Sequence, residues 1–233
     1  MTTEHEAIRQ ENPKIKVTKD GPYLVTGNVP LYEKKIAPRG KSYVLEPGRE
    51  LPQSERYTLC RCGASKHMPF CDGSHVAAGF VGTETASRTA YNQRAGLLKG
   101  PGVDMLDDDR CAFARFCHQE RGIAWDLVKA SGDEENRDQA IKAASGCPAG
   151  RLVAVDHDRG EIEPEYAPSI FIVQDPEKNV SAGIFVRGGI PIESADNETY
   201  EVRNRVALCR CGASRNKPFC DARHVAVQFL DSE

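Results

Sequence analysis

One ligand pattern is written twice in this chain, 149 residues apart: Cys60, Cys62, Cys71 and His75 in LCRCGASKHMPFCDGSHVA, and Cys209, Cys211, Cys220 and His224 in LCRCGASRNKPFCDARHVA. Both copies read C-x-C-x8-C-x3-H. Each offers three soft thiolates and one imidazole, a donor set suited to zinc or an iron–sulfur cluster and ill suited to hard, oxygen-loving cations. Two sites of identical spacing require two loops to close on metal, and that requirement constrains the fold more than any run of apolar residues here. All nine cysteines fall into three groups of three, leaving none for a disulfide framework. That usage points to a reducing compartment, expected to be the cytoplasm.

The first copy resembles the mitoNEET-like CDGSH iron–sulfur family. Cys60, Cys62, Ser65, Pro69, Cys71, Asp72, Gly73, Ser74 and His75 fill every position of that signature. The second copy matches at Cys209, Cys211, Ser214, Pro218, Cys220, Asp221 and His224, and departs at Ala222 and Arg223. The resemblance implies one [2Fe–2S] cluster at each site, with the departures bearing on packing and potential at the second. Zinc in the same ligands is the alternative, and would make the chain a zinc-stabilised interaction module.

The ligand spacing carries its own expectations. A C-x-C pair points two sulfurs at one metal, and the later Cys and His, four apart, are expected on one face of a helical turn. Asp72 is read as the cap of that turn, against the alternative of a solvated acid. Exchanging a thiolate for neutral imidazole lowers the negative charge on a cluster and raises its potential. Imidazole also protonates near neutral pH, which would couple redox state or cluster release to pH.

The repeat extends beyond the ligands. GPYLVTGNVPL (21–31) matches AGIFVRGGIPI (182–192), with Gly27 and Pro30 aligned to Gly188 and Pro191 at a separation of 161, so the first half holds 12 extra residues around IAPRGKSYVLEPG. Each half reads as short strands with glycine turns, then a cysteine loop and a helical turn. The expected fold is α+β: two small β-rich cluster-binding units (1–81 and 169–233) flanking an inserted α/β ferredoxin-like domain (82–168). CDGSH proteins pair two cluster units in an intertwined homodimer. The resemblance therefore implies a pseudo-twofold pair made within one chain, although a further homodimer needs no new sequence signal.

The insert carries Cys111 and Cys117 in DRCAFARFC and Cys147 in GCPAGRL. Laid on the bacterial ferredoxin run, Ala114 replaces the second cysteine and Cys147-Pro148 supplies the distant one. The segment looks like a divergent single-cluster ferredoxin, holding [3Fe–4S] through three thiolates or [4Fe–4S] with a non-cysteine fourth ligand. Ordinary buried thiols are the bland alternative. EENRDQAIKAASG reads as a helix ending at Gly146, IAWDLVKA (123–130) as a second helix and RLVAVD (151–156) as a strand; the N-terminal strand is not evident.

Other residues read as secondary. His67 aligns with Asn216 and is not expected to ligate, and His118 is expected in solvent. Asp107–Asp109 reads as a solvated turn or as a docking face for a basic partner. Trp125 reads as core. Lys66 and Arg215, or Arg61 and Arg210, would tune cluster potential or lie on the surface. A net charge of −3 gives no case for nucleic acid, and a mean hydropathy of −0.51, with no run near the roughly 18 apolar residues of a span, gives none for a membrane. MTTEHEAIRQENPKI has the character of neither a signal peptide nor a presequence. No catalytic constellation or nucleotide-binding loop is present, so the chain is not expected to be an enzyme. It reads as a soluble electron carrier with two [2Fe–2S] clusters and one ferredoxin-type cluster. The rival is storage, transfer or sensing, and the expected partner is a redox protein or an apo-cluster acceptor.

Overall fold

Leu31 and Ile192 correspond in the sequence repeat, Ile15 and Ile170 occupy matching places in their hairpins, and these four residues set how the halves join. A computed structural model describes residues 11–231; the N-terminal stretch read for targeting lies largely outside them. One four-stranded sheet runs Ile192–Glu193, Lys14–Val17, Tyr23–Thr26, Tyr57–Leu59. A five-stranded sheet runs Arg205–Leu208, Val180–Arg187, Ser169–Asp175, Leu31–Arg39, Ser42–Pro47. Each half thus lends a strand to the other's sheet. The two crossings are reciprocal: Ile15 pairs in parallel with Ile192, and Ile170 with Leu31. The Ile15 N–H donates to the Pro191 carbonyl at 3.0 Å, and the Ile170 N–H to Pro30 at 2.9 Å.

The exchange is held by a core that both halves build. Ile15, Val17, Tyr23, Val25, Leu31 and Leu59 pack with Ile170, Ile172, Ile184, Ile192 and Leu208, all at most 3% exposed. Burying each such side chain contributes roughly 1.5–3 kcal/mol, so neither half keeps its core alone. Beside this core the two C-x-C turns touch through an isolated antiparallel bridge between Cys62 and Cys211. Gly63 and Gly212 follow, with φ of 79° and 75°. A Cβ on Gly63 would stand 2.7 Å from the Cys211 carbonyl oxygen, and one on Gly212 only 2.4 Å from that of Cys62. Left-handed backbone and close approach both demand glycine there.

The 12 extra residues of the first half are a hairpin, not the Pro/Gly-rich connection their composition suggests. Ser42–Pro47 folds back on Leu31–Arg39 and extends the five-stranded sheet. Its Tyr43 ring meets His118 edge-on at 6.2 Å, so the hairpin also braces the insert.

The insert contains an antiparallel sheet in the order Gly160–Ile162, Leu152–Asp156, Asp104–Asp107, Gly96–Leu98. The strand that the sequence left unclear is Asp104–Asp107. Helices Ala124–Lys129 and Glu134–Gly146 lie between the two central strands in the chain, and share with them a core of Val103, Met105, Leu127, Ala140, Ala144 and Leu152. In Glu134–Gly146, the Asp133 carboxylate caps the Asn136 N–H at 3.0 Å, and Ala140, Ala143 and Ala144 form the buried face. Gly146 is the last helical residue rather than a left-handed cap; Cys147 is already extended. The freed carbonyls are satisfied from the second unit, where Arg205 donates to Ala144, Ser145 and Cys147 at 2.7, 2.9 and 2.8 Å.

Candidate metal centres

Each repeated motif closes on the strand before it. In the first, Cys60 receives no freedom from its loop: its N–H donates to the Pro69 carbonyl at 2.8 Å and the Cys71 N–H to Thr58 at 3.0 Å. The second repeats this from Cys209 to Pro218 and from Cys220 to Ala207, both at 2.8 Å. The ligands then form pairs. Cys60 and Cys62 sulfurs stand 3.6 Å apart, and Cys71 Sγ lies 3.5 Å from His75 Nδ1. The corresponding distances are 3.7 Å for Cys209–Cys211 and 3.5 Å for Cys220–His224. In both motifs Nδ1 is the nitrogen turned towards the sulfur, a choice the sequence cannot express.

Cys71 and His75 do not share a helical face as the spacing predicts. Helix Ser74–Ala77 begins after Cys71, and a left-handed turn at Gly73 (φ 86°) swings His75 back to the cysteine. Asp72 stitches this turn: its carboxylate accepts the Lys66 N–H at 2.8 Å and the Ser74 N–H at 3.0 Å. These bonds, that from Lys66 foremost, hold its carboxyl well below the usual range. Asp221 makes the same pair of bonds to Arg215 and Arg223 at 2.8 and 3.2 Å. Ala222 takes the position of Gly73 and keeps the left-handed turn at φ 66°. The backbone therefore tolerates the departure at a conformational cost of roughly 1–2 kcal/mol.

The surroundings differ more than the ligands. His75 and Cys71 are half-buried, and Val76 and Val81 beside them are 77% and 70% exposed. His224 and Cys220 are only 2% and 3% exposed. Burial foremost, with the Arg210 charge added, pushes the His224 imidazole down to about 4, so it is neutral near pH 7, the form a metal takes. Burial likewise raises the Cys220 thiol far above its ordinary range. A buried thiol of this kind becomes a thiolate when a bound cation compensates it.

Arg61 and Arg210, the residue inside each C-x-C, are fully buried rather than on the surface. Arg61 donates to the carbonyls of Gly21, Gly82 and Thr18, each at 2.8 Å. Arg210 donates to Ala182 and Val173 at 2.7 and 2.9 Å, but its third partner is the Asp231 carboxylate at 2.5 Å. Among the described residues no carboxylate pairs with Arg61. The occurrence of CRC in both copies was the available signal for this pair.

The third centre gathers Cys111, Cys117 and Cys147. Burial pushes the Cys117 thiol to about 11, and the neighbouring Cys147 and Cys111 add to the shift. The loop between Cys111 and Cys117 carries left-handed backbone at Phe113 (φ 58°) and Arg115 (φ 64°), uncommon for such side chains and typical of loops that wrap a ligand. The Phe113 N–H points at Cys111 Sγ from 3.3 Å. Ala114 does not face an open corner. It is 3% exposed and packs with Ala112, Val173, Phe185 and Cys220. The insert's cysteine loop therefore covers the second motif directly. Arg115 locks that contact through Asp175, at 2.6 and 2.8 Å.

Several secondary readings change. Asp107–Asp109 is not a solvated turn as a whole: Asp107 accepts from Arg151 at 2.6 Å and from Trp125 Nε1 at 3.0 Å, and Asp108 is buried against Arg94 and Arg110. Asp109 alone stays in solvent, 94% exposed. Trp125 does pack against the insert's core. His67 and His118 are exposed. No helix of the described residues is long and apolar enough to cross a membrane.

Comparison with known families agrees with this layout. A family model described as iron-binding zinc finger, CDGSH type, matches residues 20–76 and 182–225. A second, described as divergent 4Fe-4S mono-cluster, matches residues 98–157. Searches of the curated proteins and of the solved structures returned no match. The matched segments contain all the ligand residues described above, and the chain is thus a CDGSH-type iron–sulfur protein with two CDGSH regions and a divergent 4Fe-4S mono-cluster domain between them.

Proposed function

We propose that this protein carries electrons between an internal pair of clusters, in the second CDGSH motif and the insert, and a solvent-facing cluster in the first motif. In this reading Cys60, Cys62, Cys71 and His75 hold one [2Fe–2S] cluster, and Cys209, Cys211, Cys220 and His224 a second. Cys111, Cys117 and Cys147 hold a [3Fe–4S] or [4Fe–4S] cluster. Iron–sulfur clusters, when bound, supply reversible one-electron chemistry. The split of each CDGSH ligand set into two close pairs supports two metals per site. A single tetrahedral ion at ~2.3 Å from sulfur would instead hold all its sulfurs about 3.8 Å apart, and no three such ligands converge on one point among the described residues. The reciprocal strand exchange supports a pseudo-twofold pair completed within one chain.

The observation that carries the reading is the packing of the insert on the second site. Ala112 and Ala114 share an apolar cluster with Cys220, and Arg205, four residues before Cys209, binds the Cys147 carbonyl. These contacts bring the insert's cysteine loop directly against the second centre. The first site instead meets solvent beside exposed Val76 and Val81, where a redox partner would dock. That exposure also favours a second reading, transfer of the first cluster to an apo acceptor. Neither reading requires a substrate pocket, so the protein is proposed as a carrier and not an enzyme, working in the cytoplasm.

Iron and acid-labile sulfide analysis with EPR, on protein purified anaerobically and then reduced with dithionite, tests the proposal. It predicts about seven or eight irons per chain and a reduced [2Fe–2S] signal. Zinc with little iron, after expression that supports cluster assembly, would defeat it. Rapid delivery of iron and sulfide to an apo-ferredoxin would favour the transfer reading.

A further inference from the structure

A crevice lies between the insert and the second unit, with Cys220 among its lining residues. Its cavity volume is about 30 Å³, and it opens to solvent. Four guanidinium groups line it, those of Arg88, Arg94, Arg110 and Arg203, against two carboxylates, Asp108 and Glu201. Burial raises the Asp108 carboxyl only to about 6, so it is ionised at neutral pH.

Three of the arginines are already matched. Arg94 and Arg110 bind Asp108 at 2.9 and 3.0 Å, and Arg88 binds Asp196 at 3.0 Å. Arg203 is different. Its guanidinium sits over the Tyr91 ring, 3.5 Å from the centroid, and its one hydrogen bond among the described residues is a long 3.3 Å contact to the Gly150 carbonyl. Among the described residues no carboxylate pairs with it. Stacking fixes the plane of the fork while leaving its other N–H groups free, the arrangement suited to an anion with several oxygens. Ser87 and Thr89 add hydroxyl groups to the lining.

We infer that this crevice binds a phosphate-type oxyanion, free or carried on a larger molecule, with Arg203 as its principal donor. An anion here stands against a ligand of the second cluster. Bound negative charge beside Cys220 disfavours the reduced form of that cluster and lowers its potential. The site would thus report an anionic metabolite to the internal end of the relay. The binding step is independent of what the cysteines hold; the effect on potential rests on the cluster reading above.

Inorganic phosphate titrated calorimetrically into the full cluster-loaded protein tests the inference. Saturable binding with Kd at or below about 1 mM is expected. Arg203→Gln should weaken it at least about tenfold, or ~1.4 kcal/mol, with iron content and circular dichroism unchanged. Lys142→Gln, an exposed cation on the insert's long helix, should leave it unaltered. Hydrogen exchange of the wild-type protein covers the case in which Arg203→Gln misfolds: phosphate should slow exchange in 87–94 and 200–207. Phenyl phosphate separates the sources, since equal binding means the crevice accepts a carried phosphate and weaker binding a free ion. No saturable binding, binding indifferent to Arg203→Gln, or protection confined to other segments would each overturn the inference. If phosphate binds yet leaves the second cluster's potential unmoved, the regulatory part fails and the binding site stands.

Discussion

The two CDGSH motifs make the same bonds and live in different places. Both close their loops through the same backbone pairs, both turn Nδ1 to a cysteine sulfur, and both bury an arginine inside the C-x-C. Yet the first stands at the surface, while the second lies under the insert with its histidine 2% exposed. The motif determines ligand geometry; the neighbours determine exposure and charge. The charge environments of the two buried arginines set an order of potential. At the first site water and an Arg61 charge with no paired carboxylate both favour the more negative, reduced cluster. At the second, Asp231 offsets Arg210. The account therefore orders the potentials, with the first site above the second.

The largest expected effect separates the sites by ligand loss. Cys220→Ser should remove about two irons per chain and lower the melting temperature well beyond Cys71→Ser, because Cys220 is also part of the core beneath the insert. Equal melting temperatures would mean that the insert does not depend on the second site.

Next comes the charge that distinguishes the two arginines. Asp231→Asn breaks a buried pair and should cost about 3 kcal/mol in denaturant unfolding, while raising the second site's potential and leaving the first unmoved. Burial pushes this carboxyl up, but Arg210 and the hydrogen bonds from Ser181 and Gln174 outweigh it and hold the group below its usual range. Its contribution is thus complete above the unfolded value near pH 4 and is lost only as pH falls through the lower folded value. The gap between wild type and variant should stay constant from pH 7 to about 5. A gap that closes within that range would contradict the ion pair.

Iron release sharpens the contrast in exposure. A colorimetric chelator should take about two irons in a fast phase, at least roughly tenfold ahead of the rest, and His75→Ala should quicken only that phase. A single phase would indicate equal access to both sites. The smallest effect concerns the turn before each histidine. Ala222→Gly should stabilise the chain by about 1 kcal/mol, or roughly 2–4 °C, and Gly73→Ala should do the reverse.

What was legible in the sequence follows the range of the interactions involved. The ligands, the duplication and the helix Glu134–Gly146 are local patterns, and they stand where spacing and composition put them. An intertwined pair was implied by the family resemblance, but the exchanged strands were not legible in the residues, because Leu31–Arg39 finds its partner at Ser169–Asp175 and carries Pro38, a residue that argues against a strand. The return strand Ser42–Pro47 was hidden for the same reason. Asp107 and Asp108 read as solvent-facing because acidic runs usually are, but Arg151, Arg94 and Arg110 arrive from distant positions to bury them. Arg205 carried no signal at all: its role exists only once the insert's helix ends beside the second unit's last strand.

An EPR-monitored redox titration reads the order of the two CDGSH sites. His75→Cys and His224→Cys assign the signals, since replacing imidazole by thiolate adds negative charge and lowers the potential of the altered site alone. In wild-type protein the His75 signal is expected first as the potential is lowered, and the His224 signal after it. The reverse order, or one shared midpoint, would contradict a solvent-facing acceptor fed from a buried pair.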